Sequence, residues 1–400
     1  MFLLSSFASS IQFICIVGLL VVVASFILKR IKQPTLVAYI LIGAVIGSDG
    51  FDLIQDRESI KFIGELGIIL LFFFIGMEVD LKAFVTGWKL AFFGTLTQIL
   101  LSILSVYGLG LLFDWPTNRV VVLGFVIALS SSAVIFKLLD EKKLMQTKLG
   151  QNVTHILLSQ DIALAPILIC IAIIGGNNTS VQAISLKVLG GVVLIGIMIY
   201  VYIKEEITWL PFKRSIKKDH ELQVFLALFF CFAGALIAGL FGLSEALGAF
   251  VGGLVMHAGK ATAWVHEAIH SFRVLFVAIF FISIGAQLQL AFIYTNWVEL
   301  SSALFAVYIT NHLINTFILR AFKNSWSDAI LGGALLAQIG ELSFLICASA
   351  FTATILSQYA YDFTIALISL TICISPIWII LTEYSISKLI KSSSIEKGIV

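Results

Sequence analysis

Charge is what this 400-residue sequence lacks. Only 12% of its residues are Asp, Glu, Lys or Arg, about half the share of a soluble domain, while 60% are hydrophobic and the mean hydropathy is +1.06. That shortage excludes an ordinary soluble enzyme and a disordered chain. Cysteine is also scarce. The five (Cys15, Cys170, Cys231, Cys347, Cys373) all lie in apolar blocks with no C-x-x-C pair, which excludes a disulfide scaffold and argues against zinc or redox chemistry. A net charge of +2 gives no bulk field for nucleic acid. The first apolar block has neither a basic flank before it nor a small-residue cleavage site, so it reads as part of the fold rather than a signal peptide.

What is present is a succession of apolar blocks, most of them long enough to cross a hydrocarbon core of about 30 Å as helices. The fold class expected is an all-α polytopic membrane protein. Thirteen segments can be marked: 11–28, 35–48, 60–79, 89–113, 119–139, 153–174, 183–203, 221–242, 244–257, 271–290, 298–318, 327–351 and 362–384. Of the 25 Lys and Arg, 21 fall after odd-numbered segments or in the tail, and only Arg57, Lys61, Arg119 and Lys187 fall on the other side. By the positive-inside rule the N-terminus is outside, the C-terminus is cytoplasmic, and the location is the bacterial inner membrane.

The sequence also overlies itself at an offset of 209 residues. Phe72–Leu81 falls on Phe281–Leu290, Gly43 on Gly252, and Ser130-Ser131-Ser132 on Ile339-Gly340-Glu341. Seven segments separate the partners, so the two copies are inverted, as in transporters that alternate access around a midplane site. The domain 1–385 is then two six-helix halves, 11–174 and 221–384, joined by a linker helix at 183–203. Residues 386–400 form a short tail.

Few ionisable groups lie deep in the segments, and each is a functional candidate because its burial is costly. Asp161 sits about eight residues into its segment, roughly 12 Å deep at the helical rise. Gln160 precedes it, and Pro166 cannot donate to the carbonyl of Ile162, which leaves oxygen uncommitted one turn on. Carboxylate, amide and freed carbonyls suit a hard monovalent cation, and a carboxylate at such depth can take a proton in its place. Ser130, Ser131 and Ser132 interrupt segment five, and Gln338-Ile339-Gly340-Glu341 interrupts segment twelve at the equivalent repeat position. Both read as broken helices whose exposed ends need support from those side chains. Glu65, His155, His312 and Arg320 complete the deep set, with Arg320 expected either to snorkel or to pair with Glu341 or Glu65. His266-Glu267-Ala268-Ile269-His270 fits H-E-x-x-H, but its place between segments nine and ten favours an amphipathic linker over a metal site.

Ser131–Glu141, Leu157–Pro166, Glu65–Asp80, Gly242–Gly248, Phe280–Gly285 and Gln338–Glu341 together resemble the Kef-type monovalent cation:proton antiporters over nearly the whole chain. The resemblance implies crossed broken helices in a mobile core, homodimerisation through the other panel, elevator-like movement, and potassium/proton exchange with Asp161 as the alternating ligand. Many relatives carry a Lys in segment eleven where this sequence has Asn311, and their Gln-Gly-Gly-Glu is Gln338-Ile339-Gly340-Glu341 here. The match is to the transmembrane part, without the cytoplasmic nucleotide-binding domain of Kef proteins, so a separate regulatory subunit is one expected partner. No cofactor is expected: the cargo is potassium or sodium and protons, and the surrounding partner is the lipid bilayer. A cation channel, a ligand-responsive membrane module and a sodium-coupled solute symporter remain the alternatives.

Overall fold

The computed structural model of the protein describes residues 2–30, 35–47, 50–51, 53, 57–78, 88–175, 181–204, 219–243, 245–258 and 262–396. The basic stretch with Lys213, Arg214, Lys217 and Lys218, together with Asp80, Lys82 and Lys260, lies outside them. Among the described residues the secondary structure is entirely helical. The helices are α1 (Phe2–Arg30), α2 (Thr35–Ile46), α3 (Arg57–Glu78), α4 (Trp88–Leu112), α5 (Thr117–Ala128), α6 (Ser132–Glu141), α7 (Lys148–Ile174) and α8 (Val181–Lys204). They continue with α9 (His220–Leu240), α10 (Glu245–Ala258), α11 (Thr262–Ala286), α12 (Leu290–Thr295), α13 (Trp297–Ala321), α14 (Trp326–Leu335), α15 (Leu342–Thr352) and α16 (Gln358–Glu396). Stretches of α1, α4, α9, α13 and α16 are long and apolar enough to cross a membrane on their own, and α2, α5, α10 and α15 are shorter apolar helices.

The chain divides into two compact units, and neither is a half of the sequence. The first gathers 1–29, 35–82 and 165–290. In it α3 packs on α10 and α11, α2 on α11, and α9 on α10. Phe73, Phe74, Cys231 and Ala249 are part of its apolar core. Small residues let the backbones approach: a Cβ on Gly285 of α11 would lie 3.0 Å from the Cα of Gly43 in α2, and one on Gly253 of α10 would lie 3.0 Å from the Cα of Gly76 in α3. Without an aqueous driving force, such close packing is what holds apolar helices together. His257 caps the far end of α3 through a 2.6 Å contact of Nδ1 with the Met77 carbonyl.

The second unit gathers 30–34, 83–164 and 291–400. Here α4 pairs with α5, α13 with α14, and α15 packs on α5 and α16. Its interior differs from that of the first unit, since Gln98, Ser131, Gln160, Asp161, Asn311, Asn315, Gln338, Glu341 and Thr371 are all buried in it. The two interruptions expected from sequence are both real breaks in helices. Leu129 turns extended (φ −97°, ψ 122°) after α5, and α6 restarts at Ser132. α14 stops at Leu335, and α15 restarts at Leu342 after the chain has passed through Leu336–Glu341. By contrast α7 stays helical straight through Pro166. The missing N–H of that proline therefore does not break the helix that carries Asp161.

Candidate functional site

The two breaks meet. Gly340 N donates to Leu129 O at 2.7 Å, so one interrupted backbone satisfies the other. A Cβ at position 340 would lie 2.5 Å from Ser130 O and 2.6 Å from its carbonyl carbon, which is why this approach requires glycine. Side chains from three neighbouring helices complete the crossing. Asn311 Nδ2 in α13 donates to Ile127 O at 2.7 Å and to Ala337 O at 3.3 Å, one carbonyl from each broken helix. Its own Oδ1 accepts from Gln98 Nε2 of α4 at 2.9 Å, which fixes the orientation of the amide. Thr371 of α16 accepts from Ile339 N at 3.3 Å, and Ser343 Oγ donates to Val126 O at 2.6 Å. Carbonyls and amides that helix ends leave unpaired are thus met inside the unit, as an apolar surrounding demands.

Three consecutive serines tie this crossing to two acids. Ser130 Oγ donates to Leu336 O at 2.8 Å, and Ser130 N donates to Gln160 Oε1 at 3.0 Å. Ser131 Oγ donates to Glu341 Oε2 at 2.5 Å. Ser132 Oγ reaches both carboxylate oxygens of Asp161, at 3.0 and 2.9 Å. Asp161 is 5% exposed and Glu341 4%. The result is a buried set rich in oxygen acceptors, built on the ends of half-helices, with charge concentrated on carboxylates. Chemically it can exchange a small cation for a proton, since a carboxylate and hydroxyl oxygens ligate hard cations and the same carboxylate takes H⁺. Two glutamines in the set are fully buried with polar atoms to spare. Among the described residues, Gln160 Nε2 has no hydrogen-bond partner, and neither Nε2 nor Oε1 of Gln338 has one.

The transmembrane sodium/hydrogen exchanger family matches residues 16–382. The chain belongs to that family. Among similar proteins, the iron transporter MagA of Paramagnetospirillum magneticum is 31% identical over 373 residues, covering 92% of this chain and 85% of that protein. K(+) efflux antiporter 5 of Arabidopsis thaliana is 25% identical, covering 89% of this chain and 63% of its own length. The glutathione-regulated potassium-efflux system protein KefC of Escherichia coli is 28% identical over 365 residues, covering 88% and 57%. The chain therefore spans less than two thirds of the latter two. The fold is similar to that of the sodium proton antiporter MjNhaP1 from Methanocaldococcus jannaschii, with a TM-score of 0.66 at 14% identity, covering 94% of this chain and 97% of that one. The Kef-type resemblance is thereby shown, and with it a multi-pass membrane transporter of the monovalent cation/proton antiporter class rather than an enzyme.

Within this exchanger family member, the structure brings together Ser130, Ser131, Ser132, Gln160, Asp161, Asn311, Gln338 and Glu341, and it sets the other candidates apart. Glu65 is on an exposed face of α3, in the first unit. Among the described residues Arg320 has no carboxylate partner: Nη1 donates to Asn324 O at 2.8 Å, and the guanidinium lies 5.2 Å from the Trp326 ring centre, so it closes the end of its own helix. Neither the pairing with Glu341 nor that with Glu65 is found among the described residues. His312 Nδ1 accepts from Trp378 Nε1 at 3.2 Å while Nε2 faces Ile330 O at 2.9 Å, partners that assign the neutral Nε2–H tautomer. His266, Glu267 and His270 fall inside α11 rather than in a linker, and their side chains lie outside the described residues. No group of three His, Cys, Asp or Glu able to hold a metal occurs among the described residues.

Sequence reasoning missed a buried ion pair. Arg119, counted from sequence only as a basic residue at the outer end of its segment, is buried at the start of α5, 3.0 Å from Glu299 and 4.0 Å from the centre of the Trp115 ring. Trp115 Nε1 and the Tyr359 hydroxyl also donate to Glu299. The cluster anchors α5 to α13 and α16, and no local motif announces it, because its members are spread over more than two hundred residues. Gln98 and Thr371 were missed for the same reason: a polar residue in an apolar helix is visible, but its partner is not.

Proposed function

We propose that the protein exchanges a monovalent cation, potassium in preference to sodium, for protons across the bacterial inner membrane, one for one and without net charge movement. The observation that carries this reading is Asp161: a buried carboxylate held on both oxygens by Ser132 at the point where a helix restarts. A single alternating carboxylate takes up either one monovalent cation or one proton, which is the basis for electroneutral exchange. The preference for potassium leans on the printed names of the Arabidopsis thaliana and Escherichia coli relatives.

The architecture that goes with this function is thirteen spans in two inverted halves, N-terminus outside, working as a homodimer with an elevator-like movement of the site. The inverted repeat gains support from the glycine pairs of the first unit. Adding 209 to one member and subtracting it from the other turns the Gly43–Gly285 approach into one between positions 252 and 76, and Gly253 meets Gly76. The paired helix breaks stand at the same offset.

Proton flux in proteoliposomes driven by potassium, sodium, rubidium, lithium and ferrous iron in turn tests the reading, with ferrous iron included because of the named iron transporter. The expected outcome is uphill proton movement on an outward or inward potassium gradient, a rate insensitive to a clamped membrane voltage, and loss of both in Asp161→Asn. Downhill cation flow without proton movement would establish a channel instead, and an Asp161→Asn protein that exchanges at the wild-type rate would remove Asp161 from the mechanism.

A further inference from the structure

Gln338 stands in the middle of the second break, fully buried, with neither amide atom hydrogen-bonded among the described residues. The backbone around it is already provided for. Ala337 N donates to Ala334 O, and the Ala337 carbonyl accepts from Asn311. Ile339 N donates to Thr371, and Gly340 N donates to Leu129 O. The side chain is therefore not needed to close the broken helix. A buried amide without partners carries a desolvation cost that Leu or Met of similar volume would not. Something other than packing keeps an amide here.

Its neighbours in the chain say what that is. Leu336, two residues earlier, is bound by Ser130, and Glu341, three residues later, by Ser131. The next serine, Ser132, holds Asp161. Gln338 thus belongs to the loop that these serines connect to the carboxylate. The two glutamines of the site are not equivalent. Gln160 has its oxygen fixed on Ser130 N and only its Nε2 free, and an N–H group cannot ligate a cation. Gln338 has an uncommitted oxygen.

We propose that Gln338 is a specificity-determining ligand: its Oε1 enters the shell of the transported cation and sets the preference between potassium and sodium. This rests on the exchange at Asp161 proposed above. Selection between alkali ions in an oxygen site depends on how many ligands there are and how strong their field is. A neutral amide oxygen added to one carboxylate gives a weaker field than a second carboxylate would. That combination favours the larger ion, which gives up its hydration shell more readily. The amide leaves the net charge of the site unchanged, so it adjusts ion preference without altering the proton count.

The test uses the full chain in proteoliposomes and reads apparent affinity for potassium and for sodium from proton flux. Gln338→Leu is expected to weaken potassium about tenfold and sodium less than about threefold, because only the larger ion depends on the extra neutral ligand. Gln338→Glu is expected to shift the ratio towards sodium as well, but by tightening sodium rather than by weakening potassium, because a second carboxylate strengthens the field. A readout without turnover protects the result against a variant that folds poorly: the ion-dependent rise in melting temperature of detergent-solubilised Gln338→Met, with potassium and sodium compared. Equal weakening of both ions, or no change in either, overturns the proposal. Asp161→Asn run in parallel separates the two claims. If it abolishes ion-dependent flux while the Gln338 variants keep the wild-type ratio, only the ligand role falls. If it retains flux, the Asp161 site falls.

Discussion

The two broken helices meet at their interruptions, yet they are finished in different ways. The first break is three residues long and closes with hydroxyls, each serine committed to a separate partner: Leu336 O, Glu341 and Asp161. The second, from Leu336 to Glu341, closes with backbone and with borrowed side chains, Asn311 and Thr371, and it leaves its own amide at Gln338 unengaged. Short hydroxyl side chains can satisfy a helix end only by staying close to it, so the first break is rigid and holds the carboxylate in place. A glycine and two long polar side chains leave the second break with groups that can reach elsewhere. On the proposed exchange, the division is between a break that positions the ion site and one that contributes to it.

The largest effect expected from breaking that division comes from the acids. Asp161→Asn should lower exchange by at least about 100-fold, because on the proposed mechanism it removes the carboxylate that alternates between cation and proton. Glu341→Gln should cost about tenfold or less, since a glutamine oxygen can still accept from Ser131 and the shape of the break survives. Parallel flux measurements on the two variants check this. Equal losses would mean that the breaks share the chemistry and that the division is wrong.

Next in size is the amide that serves both breaks at once. Asn311→Leu removes the donor to Ile127 O and Ala337 O and leaves Gln98 facing an apolar chain. Two buried carbonyls lose their partner, for a loss of about 3 kcal/mol, seen as a lower melting temperature in detergent. Gln98→Leu should cost about half as much, because Asn311 keeps its carbonyls and loses only its orienting partner. A double-mutant cycle should show strong coupling, since the two side chains share a hydrogen bond. Additivity would mean that Asn311 orients itself without help.

Gly340→Ala addresses the crossing itself. The new methyl would meet the Ser130 carbonyl, which is backbone and cannot swing aside. Overpacking of this kind costs about 1–3 kcal/mol. Exchange should fall together with stability if the approach of the two breaks is what builds the site, and a melting curve next to a flux assay reads both.

Much of this was legible before any coordinates. A shortage of charge put the chain in a membrane, and Ser130-Ser131-Ser132 and Gln338-Ile339-Gly340-Glu341 stood out because small and polar residues interrupt otherwise apolar helices. The single carboxylate near the middle of its segment singled out Asp161. What stayed hidden was pairing. Pro166 suggested a local opening, but α7 continues through it, because a proline removes one hydrogen bond without necessarily ending a helix whose neighbours hold it. Arg320 had two carboxylates to choose from, and instead it turned to the end of its own helix, a few residues away. Arg119 stood at the outer end of its segment, where a charge is inexpensive, while the structure buries it against Trp115 and Glu299. A sequence shows which groups are expensive to bury, and only three dimensions show which of them meet.

The smallest expected effect is the most direct check on how the second break is supported. Thr371 lies on α16, outside both breaks, and accepts from Ile339 N at 3.3 Å while its hydroxyl donates to Ile368 O within its own helix. Thr371→Val keeps the shape and removes only the hydroxyl. Ile339 N then loses its acceptor in a buried position, worth about 1 kcal/mol because the bond is long. If the second break depends on borrowed support, stability falls by that amount while the potassium-to-sodium ratio moves by less than about twofold, since no candidate ion ligand has been touched. Ser130→Ala removes a bond of similar size from the first break, the one to Leu336 O. Because that hydroxyl also ties the first break to the segment that carries Gln338, its loss should disturb ion affinity as well as stability. A Thr371→Val protein whose ion preference changes as much as that of Ser130→Ala would show that support and site cannot be separated, and that the two breaks act as one.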